Sequence, residues 1–125
     1  MSKKIIHTDD APAAIGPYSQ AVSANGILFC SGQIALNPAT GELVQDSIEA
    51  ETKQIMANIA AVLKADGKDF SNVVKASIFL KSMDDYAEVN RIYGSYFEVD
   101  PPAREAVAVR TLPKDVNVEI SVTAC

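Results

Sequence analysis

Three short segments carry the side chains best suited to chemistry. The first is Pro101-Pro102-Ala103-Arg104. A stiff diproline followed by an arginine at the mouth of an apolar strand presents a guanidinium fork, which matches a carboxylate bidentately. The same arginine also stands beside Glu105, and a surface pair of that kind is worth little. The second is Glu119, inside Val116-Asn117-Val118-Glu119-Ile120-Ser121-Val122. Alternation groups it with Asn117, Ser121 and Thr123, opposite the valines and Ile120. That side is either a solvated polar face or the wall of a site where a carboxylate orients water and moves protons. The third is Gly16-Pro17-Tyr18-Ser19-Gln20 together with Cys30-Ser31-Gly32-Gln33. A Gly-Pro-Tyr turn can fix a phenol, and a Ser-Gly pair at a strand end offers a hydroxyl and open backbone N–H groups. Turn chemistry and a buried aromatic explain the same residues.

Other chemistries lack their parts. The one histidine, His7, sits in the first segment, so a Ser/His/Asp or Cys/His apparatus would depend on it. No Cys-x-x-Cys or His-x-x-x-His occurs, which predicts no metal site. Gly67-Lys68 is not a phosphate loop and no Gly-x-Gly-x-x-Gly is present, so no nucleotide or redox cofactor is expected.

The elements that must position these groups follow from turn signals and periodicity. Asn25-Gly26 between two apolar runs predicts a hairpin, and Pro38-Ala39-Thr40-Gly41 an exposed turn. Residues 47–65 read as a helix with Asp46 as N-cap, Glu49 three residues on, and Gly67 as the stop. Its core face is Ile48, Ile55, Met56, Ile59, Val62 and Leu63. Residues 73–81 alternate as a strand, with Val74, Ala76, Ile78 and Leu80 on one face and Phe79 on the other. Ser82, with Asp85 three later, caps a second helix to about Phe97, with Met83, Tyr86, Val89, Tyr93, Tyr96 and Phe97 near one face. Pro101-Pro102 ends it. Ala106–Arg110 and Val116–Val122 read as a closing hairpin with its turn over Thr111–Asp115. That pairing brings Glu119 near Ala106–Val107, although the register is open because a one-residue slip changes the face. The order is strand, strand, strand, helix, strand, helix, strand, strand: an α+β sheet with helices on one face. Phe79 and the two-sided apolar run 106–109 leave the other face uncovered, which predicts a homo-oligomer.

The length of 125 residues predicts one domain, 1–125. A formal charge of −5 argues against a basic nucleic-acid surface and against an anionic-membrane anchor. Apolar runs such as Ile59–Leu63 are far short of the ~18 residues of a membrane span. The N-terminus lacks the apolar segment of a signal peptide, so a cytoplasmic location is expected, with Cys30 and Cys125 as free thiols.

Taken together, Ala-Pro-Ala-Ala-Ile-Gly-Pro-Tyr-Ser-Gln (11–20), Ser-Gly-Gln-Ile (31–34), Pro-Ala-Arg (102–104), Leu-Pro-Lys-Asp-Val (112–116) and Val-Glu-Ile (118–120) closely resemble the reactive-intermediate/imine deaminase A family, RidA, also called YjgF or RutC-like. The resemblance runs over nearly the whole chain. It implies a chorismate-mutase-like α+β fold, with one mostly antiparallel sheet and two helices on one face. It also implies a homotrimer with clefts between subunits, and hydrolysis of 2-imino acids such as 2-aminoacrylate/2-iminopropanoate and 2-iminobutanoate to 2-oxo acids and ammonia. Residue by residue, Arg104 falls on the family's carboxylate-binding arginine and Glu119 on its water-linked glutamate. Tyr18, Ser31, Gly32 and Asn90 fall where the cleft is lined. Ala106 replaces a cysteine common two residues after the arginine; the family contact there runs through the backbone. A non-catalytic module binding 2-oxo acids, and a ribonuclease or translation inhibitor, are the alternative functions.

Overall fold

The computed structural model describes residues 2–125. Six strands form one sheet: β1 (Lys4–Ile6), β2 (Ala21–Ala24), β3 (Ile27–Cys30), β4 (Val73–Leu80), β5 (Ala103–Ala108) and β6 (Val118–Ala124). The spatial order is β1-β2-β3-β6-β4-β5. Every neighbouring pair is antiparallel except β4 and β5. The two helices are α1 (Ile48–Ala65) and α2 (Tyr86–Gly94). The element order and the mostly antiparallel sheet agree with the sequence reading. Among the described residues no helix is long and apolar enough to cross a membrane.

Local chemistry sets the ends of these elements. Asn25 and Gly26 both take positive φ, 53° and 78°, in the turn joining β2 to β3, the conformation that Asn-Gly supplies to a two-residue hairpin. The cap of α1 is Ser47 rather than Asp46. Ser47 is extended and its Oγ accepts from the Ala50 N–H, so the helix begins one residue later. At the other end Gly67 (φ 69°) donates to Lys64 O and Lys68 N–H donates to Leu63 O, which satisfies the last carbonyls. The second helix is shorter than its periodicity suggested. A 3-10 turn at Met83–Asp85, capped by Ser82, precedes it, and Gly94-Ser95 ends it, with Ser95 Oγ donating to Ile92 O.

Two further expectations fail for physical reasons. Val74 is not a core residue. A bulge between Val73 and Lys75 sets two residues against one, so Val73 is buried and Val74 exposed. From Ala76 onward the alternation holds. More important, β5 and β6 do not form a hairpin: β4 lies between them, parallel to β5 and antiparallel to β6. The segment after α2 returns β5 in the direction of β4, as a crossover does. Val109 N–H then continues that ladder to Leu80 O. The chain reverses through Pro113–Asp115, where Lys114 and Asp115 both have φ 55°, and β6 takes the other side of β4.

Ala76, Ile78, Leu80, Val118, Ile120, Val122, Ala124 and Leu28 pack with α1 and α2 in one core. On the opposite face the register aligns Phe29 with Thr123, Phe79 with Glu119 and Phe79 with Val107. Phe29 is 50% and Val107 43% exposed there, so the helices leave that side of the sheet bare.

Candidate active site

Arg104 belongs to the helix-covered side. Its ladder partner is Ala76, a core residue, and paired residues share a face. The guanidinium leans on α2. Nη2 donates to the Tyr86 hydroxyl and Nη1 to Asn90 Oδ1, both at 2.7 Å. The guanidinium carbon lies 5.2 Å from the Tyr93 ring centroid and 5.7 Å from that of Tyr86, within cation–π range. The fork is therefore fixed by two hydrogen bonds and two rings before any ligand arrives. The Tyr93 hydroxyl is buried without a hydrogen-bond partner among the described residues. Burial lifts that phenol above its ordinary pKa, and the Arg104 cation offsets part of the rise. Ala106, two residues along the same face, pairs with Ile78 and packs against the core.

Glu119 belongs to the bare side. It stands on β6 opposite Phe79 and shares a cleft of about 430 Å³ with Tyr18, Gly32, Ile15, Lys114 and Gln20. Desolvation by burial pushes its carboxyl above the ordinary carboxylate range. The strand past Ser31 runs beside β6, where Gln33 exchanges both backbone hydrogen bonds with Ile120, and this lays Gly32 against the carboxylate. Tyr18 follows a turn closed by its own N–H on Gly16 O and is half exposed. Ser31 is spent on structure: its Oγ donates to Ser19 O at 2.6 Å and its N–H to Gln20 O at 2.9 Å, tying the Tyr18 loop to β3.

The sequence-derived residues thus form two groups, not one. Arg104, Asn90 and Ala106 lie on the helix side at the β5 edge. Tyr18, Gly32 and Glu119 line the cleft on the bare side, with Ser31 behind them. The strand β4 separates the groups within a chain, which corrects the expectation that a hairpin brings Glu119 beside Arg104.

Four contributors, Tyr86, Tyr93, Gln20 and Lys114, were not singled out from sequence. Tyr86 and Tyr93 flank the resemblance-derived Asn90 at i, i+4 and i+7 on one helix face, and the two tyrosines read from sequence only as core. Gln20 is buried in the turn-rich segment. Its Nε2 donates to Thr8 O and Pro12 O and its Oε1 accepts from Thr8 N–H, fixing the loop that roofs the cleft. Lys114 sits at the cleft margin on a left-handed backbone, which a lysine adopts at a cost.

Comparison with known proteins identifies the family. The family model described as Endoribonuclease L-PSP matches residues 8–125. A RutC family protein of Synechocystis sp. is 52% identical over 126 residues, covering 99% of this chain and 97% of the relative. The 2-iminobutanoate/2-iminopropanoate deaminase of Bos taurus is 48% identical over 122 residues, covering 98% and 89%. Among solved structures, E. coli TdcF with bound serine has a TM-score of 0.92 and 37% identity and covers 97% of each chain. The fold, the motifs around Arg104 and Glu119, and these matches agree: the chain belongs to the YjgF/RutC/RidA family.

Proposed function

We propose that the chain is a 2-iminobutanoate/2-iminopropanoate deaminase, acting as a homotrimer whose clefts each combine the Arg104 group of one subunit with the Glu119 group of the next. The observation that carries this reading is the pre-aimed Arg104 fork. A guanidinium already held by Tyr86 and Asn90 over two rings is built to take a carboxylate with little further ordering. The bare apolar sheet face supplies the surface on which copies would meet. The deaminase name of the bovine relative and the serine bound by TdcF support a small carboxylate-bearing ligand.

In the proposed reaction Arg104 fixes the substrate carboxylate and with it the plane of the imine. Glu119 orients a water and takes its proton as the new C–O bond forms at the imine carbon. That proton passes to nitrogen to give a carbinolamine, the proton of the new hydroxyl then follows it to nitrogen as the C=O forms and the C–N bond breaks, and a 2-oxo acid and ammonia leave. Backbone groups near Ala106 and the Ser31-Gly32 segment hold the imine end. The raised pKa of Glu119 suits both halves of this transfer, since a group titrating nearer neutrality gives and takes protons more readily. Positioning of this kind supplies several kcal/mol.

The test generates imines with an amino-acid oxidase and follows ammonia release in competition with semicarbazide. A protein that binds 2-oxo acids without accelerating release is a regulatory module, the second reading. Subunit sharing is tested by mixing Arg104→Ala and Glu119→Gln chains, each inactive alone. Random reassembly into trimers restores about a quarter of the sites if each is shared by neighbouring subunits, and none if each is built in one chain.

A further inference from the structure

One ionisable group in the core is unused by this mechanism. Glu51, in the first turn of α1, is fully buried. Such a carboxylate needs partners, and it has three N–H donors. Oε2 accepts from Asn117 N–H at 3.0 Å and from Val118 N–H at 3.2 Å, and Oε1 accepts from Asn117 Nδ2 at 2.9 Å. All three come from the two residues immediately before Glu119. Asn117 is held from its other side too, since its carbonyl accepts from Lys81 N–H at the end of β4.

Where this contact falls matters more than its strength. In a strand, a slip of one residue turns every side chain to the opposite face. Here that slip would drive Glu119 into the core and turn Val118 to the cleft. Asn117 is the last residue before β6 begins, so a lock on it sets the register of everything downstream.

We propose that Glu51 is a positioning residue that fixes the register of β6 and so seats the Glu119 carboxylate in its cleft. The inference rests on the reading of Glu119 as the water-orienting group, but its test does not. Glu51 touches no substrate; it acts through Asn117 and Val118. The role is geometric rather than electrostatic, and the amide variant separates the two. In Glu51→Gln the remaining oxygen can still accept from both backbone N–H groups. Its amide N–H can donate to Asn117 Oδ1 once that side chain turns over. All three links survive without the charge.

The experiment compares wild type, Glu51→Gln, Glu51→Asp and Glu51→Ala by two readouts: the ¹³C titration of the Glu119 carboxyl, and kcat and KM for imine hydrolysis. The expected result for Glu51→Gln is a Glu119 titration like wild type and kcat within about twofold. For Glu51→Ala the Glu119 pKa falls towards the ordinary carboxylate value, and kcat drops at least tenfold while KM moves less than twofold, since Arg104 is untouched. If Glu51→Ala does not fold, Glu51→Asp carries the test, because it keeps the charge but withdraws the carboxylate by one methylene. A wild-type Glu119 titration in whichever of these folds overturns the proposal, as does a Glu51→Gln variant as impaired as Glu51→Ala. Should wild type hydrolyse no imine, the deaminase reading fails, while the Glu119 titration still decides the role of Glu51.

Discussion

Gly32 and Glu119 occupy space that only a glycine leaves open: a Cβ built on Gly32 would lie 2.9 Å from the Glu119 carboxyl carbon and closer still to Oε2. The carboxylate therefore rests on bare backbone. Its seat depends on two features far apart in sequence, a residue without a side chain and a strand in correct register.

Gly32→Ala is the most economical test of that seat. The added methyl must push the Glu119 carboxylate out of place, because the backbone around Gly32 is held by the Gln33–Ile120 exchange. Imine hydrolysis is expected to fall by about one to two orders of magnitude, the range of a misplaced acid–base group. Thermal unfolding should show only a small change, because the cleft side is open. An unchanged kcat would mean that Glu119 works from another position or does not work at all.

The pH dependence follows from the raised pKa of Glu119. The carboxylate form is lost as pH falls through that raised value, so the acid limb of kcat/KM should lie above the ~4.3 of an unperturbed glutamate. The stability linkage has a definite sign. A carboxyl whose folded pKa is raised binds its proton more tightly in the folded state. Its contribution is present below the ordinary value and lost as pH rises through the folded one. Glu119→Gln should therefore raise Tm at neutral pH and gain less at pH 4, while losing the acid limb and about 10²–10³-fold in rate. Paired melting curves and rate profiles check both.

Arg104 and Tyr86 should be separable. Arg104→Lys replaces a fork by a point charge and removes the stacking, so activity is expected to collapse. Tyr86→Phe keeps the ring but removes the acceptor for Nη2. The guanidinium then loses one of its two anchors, and KM should rise about tenfold, one hydrogen bond to a charged group, with kcat less affected. A Tyr86→Phe enzyme with wild-type KM would show that Asn90 alone positions the fork.

The two thiols should differ sharply in reactivity. Burial, with a smaller contribution from the nearby Asp66 charge, pushes Cys30 up to about 12. Cys125 is exposed. A disulfide-exchange reagent at pH 8 is expected to modify one thiol promptly and the second only on unfolding. Because the Cys30 pKa is raised in the folded state, stability should decline as pH climbs from about 9 towards 12, and Cys30→Ala should flatten that decline.

Much of this was legible in the residues. Periodicity gave α1, because Ile55, Met56, Ile59, Val62 and Leu63 recur on one face and do go to the core. Asn25-Gly26 gave its hairpin because few other dipeptides accept two positive φ values in a row. The motifs pointed to Arg104 and Glu119 and to the family. What sequence did not give is neighbourhood. Two apolar strands close in the chain look like a hairpin, yet β4, from much earlier, comes between them, because strand order is decided by long-range packing. Glu51 was invisible for a similar reason: its partners lie 66 and 67 residues away, and a glutamate in a first helical turn ordinarily serves the helix dipole. Val74 misled because a bulge inverts an alternation without leaving a mark in residue type.

The strand between Arg104 and Glu119 has one more implication. On the shared-cleft proposal, a lone copy of this chain holds each group in place and still offers no single small molecule a grip on both. Maturation of such a protein would then have two thresholds, one set by temperature and the other by how many copies are present. On the shared-cleft proposal, dilution below the assembly threshold would silence it, and the apparent Tm would fall with it as the sheet face is uncovered.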